Sequence, residues 1–311
     1  MESSELLLVS ILSRSLIAGT PLLIGTLGEI YAERSGVMNL GIEGMMAVGA
    51  VAGFGTAYAS GNPWLGVLAG ITAGALLALL HGFVSITLGA NQIVSGLALT
   101  TLGIGLSGLL GKSFIGLPLA QKFSSVPVPL FSRIPVLGDI FFNRDPLFYL
   151  SVILGLLLWG LLYKTRWGLI IRSVGENPLA SETMGIHVQK VRYSCVVLGG
   201  ALAGLAGAYL SLAYIPSWIE GMTAGRGWII VALTIFSLWN PLRAFVGAYL
   251  FGGIYVLQFF LQPYGFSPNL LMMMPYVATL LALFWGATET RRKKMCAPAA
   301  LGVPYEKGVR V

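Results

Sequence analysis

The sequence is poor in the residues from which disulfides, metal centres and charged surfaces are built. It holds two cysteines and two histidines among 311 residues, and only 10% of its residues are charged. Cys195 lies in an apolar run and Cys296 in a basic segment, so we expect no disulfide. His81 and His187 are far apart, and neither has a carboxylate at ligand spacing. We therefore expect no catalytic residue, no cofactor and no metal in this chain.

Apolar residues are abundant instead and make up 56% of the chain. They form runs near the ~20 residues that a bilayer-spanning helix needs. The runs lack the alternation of a barrel strand, and main-chain polar groups must pair internally in hydrocarbon. The predicted fold is an all-α polytopic transmembrane helical bundle of about eight to ten spans. The predicted spans are 15–31, 42–59, 64–87, 92–111, 146–163, 194–214, 227–239, 244–261 and 270–286.

The basic residues that give the chain its net charge of +7 lie next to the apolar runs, where they indicate the membrane topology. Lys and Arg flank the loop 164–193, and four basic residues follow the last apolar run at 291–294, so we expect both on the cytoplasmic side, near anionic lipid. Alternation then places the proline-rich loop 112–145 outside. The chain divides into a transmembrane domain, 1–290, and a basic cytoplasmic tail, 291–311. This pattern argues against nucleic-acid binding.

Glycine is concentrated inside the predicted spans, where it allows helices to approach closely. Gly66, Gly70 and Gly74 follow one another at i+4 steps, and Gly200 and Gly204 repeat the pattern. Such faces are typical of tightly packed transmembrane bundles.

The most informative polar segment is 175–190, which reads GENPLASETMGIHVQK between two apolar runs. Asn177 suits a helix cap, Pro178 suits the first helical position, and Gly185 suits a left-handed stop. The pattern predicts a short helix over about 177–185 on the cytoplasmic side. Such a helix invites a protein partner, and the alternative is an interfacial helix that only closes the bundle.

A second polar segment, GEIYAERSGVMNLGIEG at 28–44, interrupts the first two spans. A charge at a helix centre costs on the order of 3 kcal/mol, so Glu29, Asn39 and Glu43 are predicted to face a polar translocation pathway. Glycines around them would permit a broken helix. The alternative is a surface loop with Glu33 and Arg34 solvated.

A third polar segment, EGMTAGRG at 220–227, precedes the seventh span. Arg226 is predicted to pair with Glu220 or to meet an oxygen-rich solute, and both residues are assigned to the pathway. The alternative is an arginine that snorkels to the interface. The tetrapeptide Ile-Glu-Gly-Met begins both this segment, at 219–222, and the span at 42–45, which is either chance or the mark of an inverted repeat.

Three motifs together resemble one family. GEIYAERSGVMNLGIEGMM, GENPLASETMGI and AGRGWIIVALTIFSLWNPL are similar, in this order, to permease subunits of bacterial ABC importers for nucleosides and simple sugars. The resemblance is to the branch that works with basic membrane lipoprotein receptors, and it spans about residues 15–290. The chain departs from many relatives at Leu238, where a glycine often stands.

The resemblance implies a multi-pass subunit of the bacterial cytoplasmic membrane that binds no nucleic acid. It implies a second, distinct permease, cytoplasmic ATPase subunits and an external solute-binding lipoprotein as partners. The residues that match the family's ATPase-coupling motif are Gly175, Glu176, Asn177, Ala180, Gly185 and Ile186.

Two other functions remain to be weighed. An ion-coupled secondary transporter would use Glu29 or Glu43 for proton or sodium coupling. A membrane-embedded enzyme would need a nucleophile with its base or a metal cluster, and the sequence contains neither pattern. The solute itself stays open among nucleosides, simple sugars and riboflavin-like molecules.

Overall fold

The computed structural model describes residues 3–286 and 297–305, and within them the chain is almost wholly α-helical. The basic run 291–294 and Cys296 lie outside the described residues. The helices are α1 (Ser3–Arg34), α2 (Ile42–Ser60), α3 (Pro63–Gly82), α4 (Gln92–Gly111), α5 (Pro146–Lys164), α6 (Arg166–Glu176), α7 (Pro178–Thr183), α8 (Val188–Tyr209), α9 (Arg226–Phe236), α10 (Pro241–Leu261), α11 (Pro268–Met272) and α12 (Met274–Gly286). Short π-helices extend α3 (Phe83–Thr87) and α8 (Leu210–Tyr214).

Several helices begin where the local sequence provides a side-chain cap. The side chains of Asn62, Asn91 and Asn240 accept hydrogen bonds from the first free main-chain N–H groups of α3, α4 and α10. Asp145 does the same for α5. Proline follows the cap in α3, α5 and α10, a position where its missing N–H is not needed.

Seven of the nine apolar segments predicted from the sequence lie wholly on helices, whereas 270–286 is divided at Met273 between α11 and α12, and 227–239 extends past the end of α9. Among the residues that the structure describes, six stretches are long and apolar enough to cross a membrane by length and composition: 7–34, 63–87, 92–114, 146–164, 188–214 and 241–264. The 19-residue α2 is also long enough, although it is less apolar. The chain is therefore a polytopic membrane bundle.

The predicted full span at 227–239 is wrong. Helix α9 has only 11 residues, and at 1.5 Å per residue it is about 16 Å long, roughly half the hydrocarbon thickness. It ends because Leu238 and Trp239 both adopt positive φ angles, of 54° and 52°, which turn the chain out of the helix. Helix α9 is thus a half-span with both ends held by other parts of the protein.

The centre of the bundle is built from α1, α2, α3 and α8 around the predicted glycine faces. A methyl group on Gly204 would overlap the main chain of Gly70, and one on Gly74 would overlap that of Gly200. Gly49 of α2 meets Gly204 from the other side. These helices touch main chain to main chain, which confirms the close packing expected from the spacing.

The proline-rich loop 112–145 is ordered without a long helix. It contains short 3₁₀ and π turns and one small antiparallel hairpin, β1 (Val126–Pro127) with β2 (Asn143–Arg144). Isolated bridges join Ile115 to Trp218 and Pro118 to Ser217. The loop therefore packs beside the segment that leads into α9, at the end of the bundle opposite α7.

Candidate functional site

The segment 175–190 folds as its sequence indicates. Asn177 caps α7, with its Oδ1 accepting a hydrogen bond from Ala180 N at 2.9 Å. Pro178 occupies the first helical position, and Gly185 takes a φ of +82° just beyond the end. The result is a six-residue helix between α6 and α8.

The six residues matched to an ATPase-coupling motif divide into two groups. Glu176, Asn177, Ala180 and Gly185 are exposed and Ile186 is half-buried, so a partner can reach them. Gly175 is buried against the end of α1, so close that a side chain there would overlap the carbonyl of Arg34. Packing inside this chain therefore explains why glycine occupies this position.

An apolar groove runs beside α7. It has a volume of about 420 Å³ and is lined by Leu169, Ile170, Ser173, Glu176, Asn177, Ala180, Ser181, Met184 and Ile186. Met184 is 82% exposed and Trp167, at the start of α6, is 68% exposed. Large exposed apolar side chains beside a polar loop are typical of a surface that binds another protein.

Sequence analysis missed the segment 297–305, which it treated as part of a basic tail. This segment lies against α6, α7 and α8, with Ala300 N donating to Gly175 O at 2.9 Å. Tyr305 is buried among Val174 and Val188, and its hydroxyl donates to Glu182 of α7. The signal in the sequence is the change from the basic run to the apolar residues 297–305.

The hydroxyl of Tyr305 is a stable donor at physiological pH. Burial, followed by the hydrogen bond to the Glu182 carboxylate, raises the pKa of Tyr305 to about 12. Both effects disfavour the phenolate, which would lie against another negative charge.

A second site lies inside the bundle, where the half-span α9 begins. The carboxylate of Glu43 accepts two main-chain hydrogen bonds, from Gly225 N at 2.8 Å and from Gly227 N at 2.6 Å. Glu43 is buried at the start of α2. A carboxylate is stabilised at a helix N-terminus, where free N–H groups and the helix dipole both favour negative charge. Glu43 thus caps α9 from a helix 182 residues earlier in the chain.

Arg226 does not pair with Glu220 in the way predicted from the sequence. Its Nη1 donates to the carbonyls of Met222, at 2.9 Å, and Thr223, at 3.2 Å. Its guanidinium carbon lies 4.5 Å from the ring centre of Tyr255 and 5.4 Å from that of Tyr214. The side chain is buried, which excludes the snorkelling alternative.

Glu220 belongs to a different place from the other predicted pathway residues. It is exposed and lies beside Gly108 of α4, near the end that carries the loop 112–145. The second Ile-Glu-Gly-Met sits in a turn rather than at the start of a helix, so the two copies differ in conformation. Glu43 and Arg226 share one site, whereas Glu220 lies outside it.

The remaining predicted residues form a buried polar cluster at the end of α1. Glu29 Oε1 accepts from Asn39 N at 3.1 Å, and Asn39 Oδ1 accepts from Gly41 N at 3.0 Å. Glu33 accepts from the indole Nε1 of Trp239. Both carboxylates are buried, so the alternative of a surface loop with a solvated Glu33 is wrong.

Arg34 connects this cluster to the far end of α9. Its guanidinium donates to the carbonyls of Leu238 and Trp239, each at 3.3 Å. Its own carbonyl packs on Gly175. The end of α1 therefore touches both the loop after α9 and the helix that precedes α7.

The histidines have ordinary environments. His81 is buried and hydrogen bonds to Ser95 Oγ at 3.0 Å and Met38 O at 3.1 Å, and His187 is exposed. Within residues 3–286 and 297–305, no three His, Cys, Asp or Glu side chains are grouped to hold a metal ion.

Comparison with known proteins decides the class of this bundle. The family model for the branched-chain amino acid transport system / permease component matches residues 11–283. The chain belongs to this permease family. The predicted assignment to the permease subunits of ABC transporters is confirmed, and the ion-coupled alternative is not supported.

Relatives resemble the permease over nearly its whole length. It is 37% identical to the guanosine ABC transporter permease protein NupQ of Bacillus subtilis, over 96% of this chain and 97% of the relative. It is 38% identical to the nucleoside ABC transporter permease protein NupC of Lactococcus lactis, over 96% of each. It is also 38% identical to TsgC13 of Haloferax volcanii, provisionally named a glucose ABC transporter permease, over 96% of this chain and 97% of the relative. No solved structure matches the permease.

Proposed function

We propose that this permease is the membrane-spanning subunit of an ATP-driven importer that moves a nucleoside, or a simple sugar, across a bacterial cytoplasmic membrane. An external solute-binding lipoprotein delivers the solute, and a separate ATPase subunit hydrolyses ATP. A second, distinct permease completes the membrane part. The observation that carries this proposal is the near full-length similarity to permeases named for guanosine and nucleosides.

The ATPase subunit binds at α7 in this proposal. Helix α7 is capped, short and exposed on one side, and the groove beside it is apolar. A rigid short helix of this kind transmits a displacement without absorbing it by bending. This role places α7, the loop 164–193 and the tail on the cytoplasmic side.

Helix α9 is the part of the bundle that this displacement moves. The contacts run from Gly175 to Arg34, and from Arg34 to the carbonyls of Leu238 and Trp239 just beyond α9. The other end of α9 is capped by Glu43. A shift at α7 would therefore change the position of a half-span whose inner end lies at a polar site.

The solute pathway passes this inner end of α9. Arg226 is buried there beside Tyr214 and Tyr255, and Tyr276 donates to Ala224 O at 2.7 Å. Aromatic faces suit a flat nucleobase, because stacking on them contributes about 1–3 kcal/mol per base in other proteins. Asn39, in the loop that leads into α2 and Glu43, donates its main-chain N–H to Glu29 Oε1 of α1.

The test of this function uses the permease with its partner subunits in vesicles. Ala180→Arg places a charge in the groove beside α7, so ATPase binding and ATP-dependent uptake should both be lost. Gln189→Arg, an exposed position at the start of α8 that does not line the groove, is the matched control and should keep both.

Two results would contradict the proposal. One is uptake by Ala180→Arg at the level of the control. The other is solute accumulation driven by a proton or sodium gradient with the permease alone. Uptake of labelled guanosine against labelled glucose distinguishes the two solute classes.

A further inference from the structure

Residues 297–305 form a segment that is seated on the α7 end of the bundle by specific contacts. Its main chain bonds to α6 through Ala300 N and Gly175 O, at 2.9 Å, and through Ala299 N and Glu176 Oε2, at 3.4 Å. Pro298, Ala300 and Tyr305 are buried. The segment packs as part of the bundle at this end.

The far end of the segment encloses a buried arginine. Arg192 of α8 is 1% exposed, and its Nη1 donates to Val303 O at 3.3 Å. Its guanidinium carbon lies 5.7 Å from the ring centre of Tyr305. Its Nε and Nη2 are buried without a hydrogen-bond partner among the described residues. An arginine in this state depends on the carbonyl and the ring that the segment supplies.

The segment also contacts three separate elements of the bundle. Tyr305 bonds to Glu182 of α7, Val303 bonds to Arg192 of α8, and the carbonyl of Ala300 packs on Gly36, just after α1. The bond to Glu182 crosses 123 residues of sequence, so no local effect maintains it. Without these contacts, α7 is attached to the bundle mainly through its two chain connections and the apolar side chains beneath it.

We propose that residues 297–305 act as a strap that positions α7, holding it against α8 and the end of α1 so that movement of the ATPase reaches the bundle. This inference rests on the proposed function, since it assigns a role within the same coupling site. The positioning residues are Tyr305, Arg192 and Glu182. The strap contacts the face of α7 that packs on the bundle and leaves Asn177 and Ala180 exposed for the ATPase.

The test compares two truncations of the permease in the assembled transporter. A chain ending after Cys296 lacks the strap, and a chain ending after Tyr305 keeps it and is the matched control. With the strap removed, we expect the ATPase still to bind and hydrolyse ATP, and uptake per ATP to fall at least about tenfold. The control should stay within about twofold of the intact chain; tenfold corresponds to about 1.4 kcal/mol of lost coupling.

If the shorter truncation does not fold, two point variants test whether the strap positions α7. Tyr305→Phe keeps the ring over Arg192 and loses the bond to Glu182, whereas Tyr305→Ala loses both. Amide exchange in α7 should become faster in the order intact chain, Phe, Ala, and uptake per ATP should fall in the same order.

Three outcomes are informative. Unchanged uptake per ATP and unchanged amide exchange in α7 in these variants would contradict the proposal that the strap positions α7. Higher uptake in the truncated chain would also overturn it, because the segment would then be inhibitory. Failure of the intact chain to bind the ATPase or to transport would instead count against the proposed function.

Discussion

The cap that Glu43 places on α9 allows a quantitative prediction. Its carboxylate accepts hydrogen bonds of 2.8 and 2.6 Å from Gly225 N and Gly227 N, and the residue is 4% exposed. Hydrogen bonds to a charged group contribute about 1.5–3 kcal/mol each, and a charge at a helix N-terminus contributes about 0.3–1 kcal/mol more. Glu43→Gln keeps one acceptor oxygen and loses the charge, so we expect a loss of about 3 kcal/mol in the free energy of unfolding.

Glu43→Ala removes both acceptors and leaves the buried N–H of Gly227 and the half-buried N–H of Gly225 without their partner. Its loss should exceed that of Glu43→Gln by about 1–3 kcal/mol, the cost of an unsatisfied buried group. Since folded domains are stable by only about 5–15 kcal/mol, either change is a large fraction of the total. The expected decrease in Tm for Glu43→Gln is about 5–10 °C.

The assay is thermal unfolding of the detergent-solubilised permease, with Glu220→Gln as the control. Glu220 is an exposed carboxylate in the segment before α9, so its change should alter the free energy of unfolding by less than about 0.5 kcal/mol. Uptake should then be measured well below the Tm of each variant. If Glu43→Gln unfolds at the same temperature as Glu220→Gln, the carboxylate does not hold α9.

Two further predictions concern the main chain. Gly204→Ala should destabilise the permease by about 1–3 kcal/mol, because its methyl group would overlap the main chain of Gly70, whereas Gly160→Ala on α5 meets nothing within 4 Å and should be neutral or slightly stabilising in the same melting experiment. Equal Tm values for these two variants would contradict the close packing of α3 and α8. Leu238→Gly should be more stable than Leu238→Ala by about 1 kcal/mol, because φ at this position is 54° and an L side chain is strained there. Chemical or thermal unfolding of the pair measures this difference, and an alanine variant at least as stable as the glycine variant would show that the left-handed turn is not strained.

The long apolar runs and the helix caps were predictable because both depend on residues that are near each other in the chain. Asn177, Pro178 and Gly185 mark the two ends of the same short helix, so their order alone predicts α7. The glycine faces were predictable for a similar reason, since i+4 spacing puts Gly70 and Gly74 on one side of a helix.

The composition of the sites was less predictable, because each depends on atoms brought together from distant segments. The sequence marked Glu43 and Arg226 as polar residues that need an explanation, but not that the carboxylate would cap α9 while the guanidinium bonds to carbonyls. The prediction that paired Arg226 with Glu220 used the nearest opposite charge in sequence. In the fold, the chain turns between them and leaves Glu220 at the surface.

What the sequence determined by itself is the class of the protein: a helical membrane bundle with a short capped helix between two long ones, since hydrophobic length and local hydrogen bonding do not require knowledge of neighbours. The tertiary structure alone decided that α9 is a half-span, that Glu43 holds its inner end, and that residues 297–305 return to pack on α7. The physical reason is that buried polar groups take whichever partners the packed helices bring within about 3 Å. Those partners are set by the three-dimensional path of the chain.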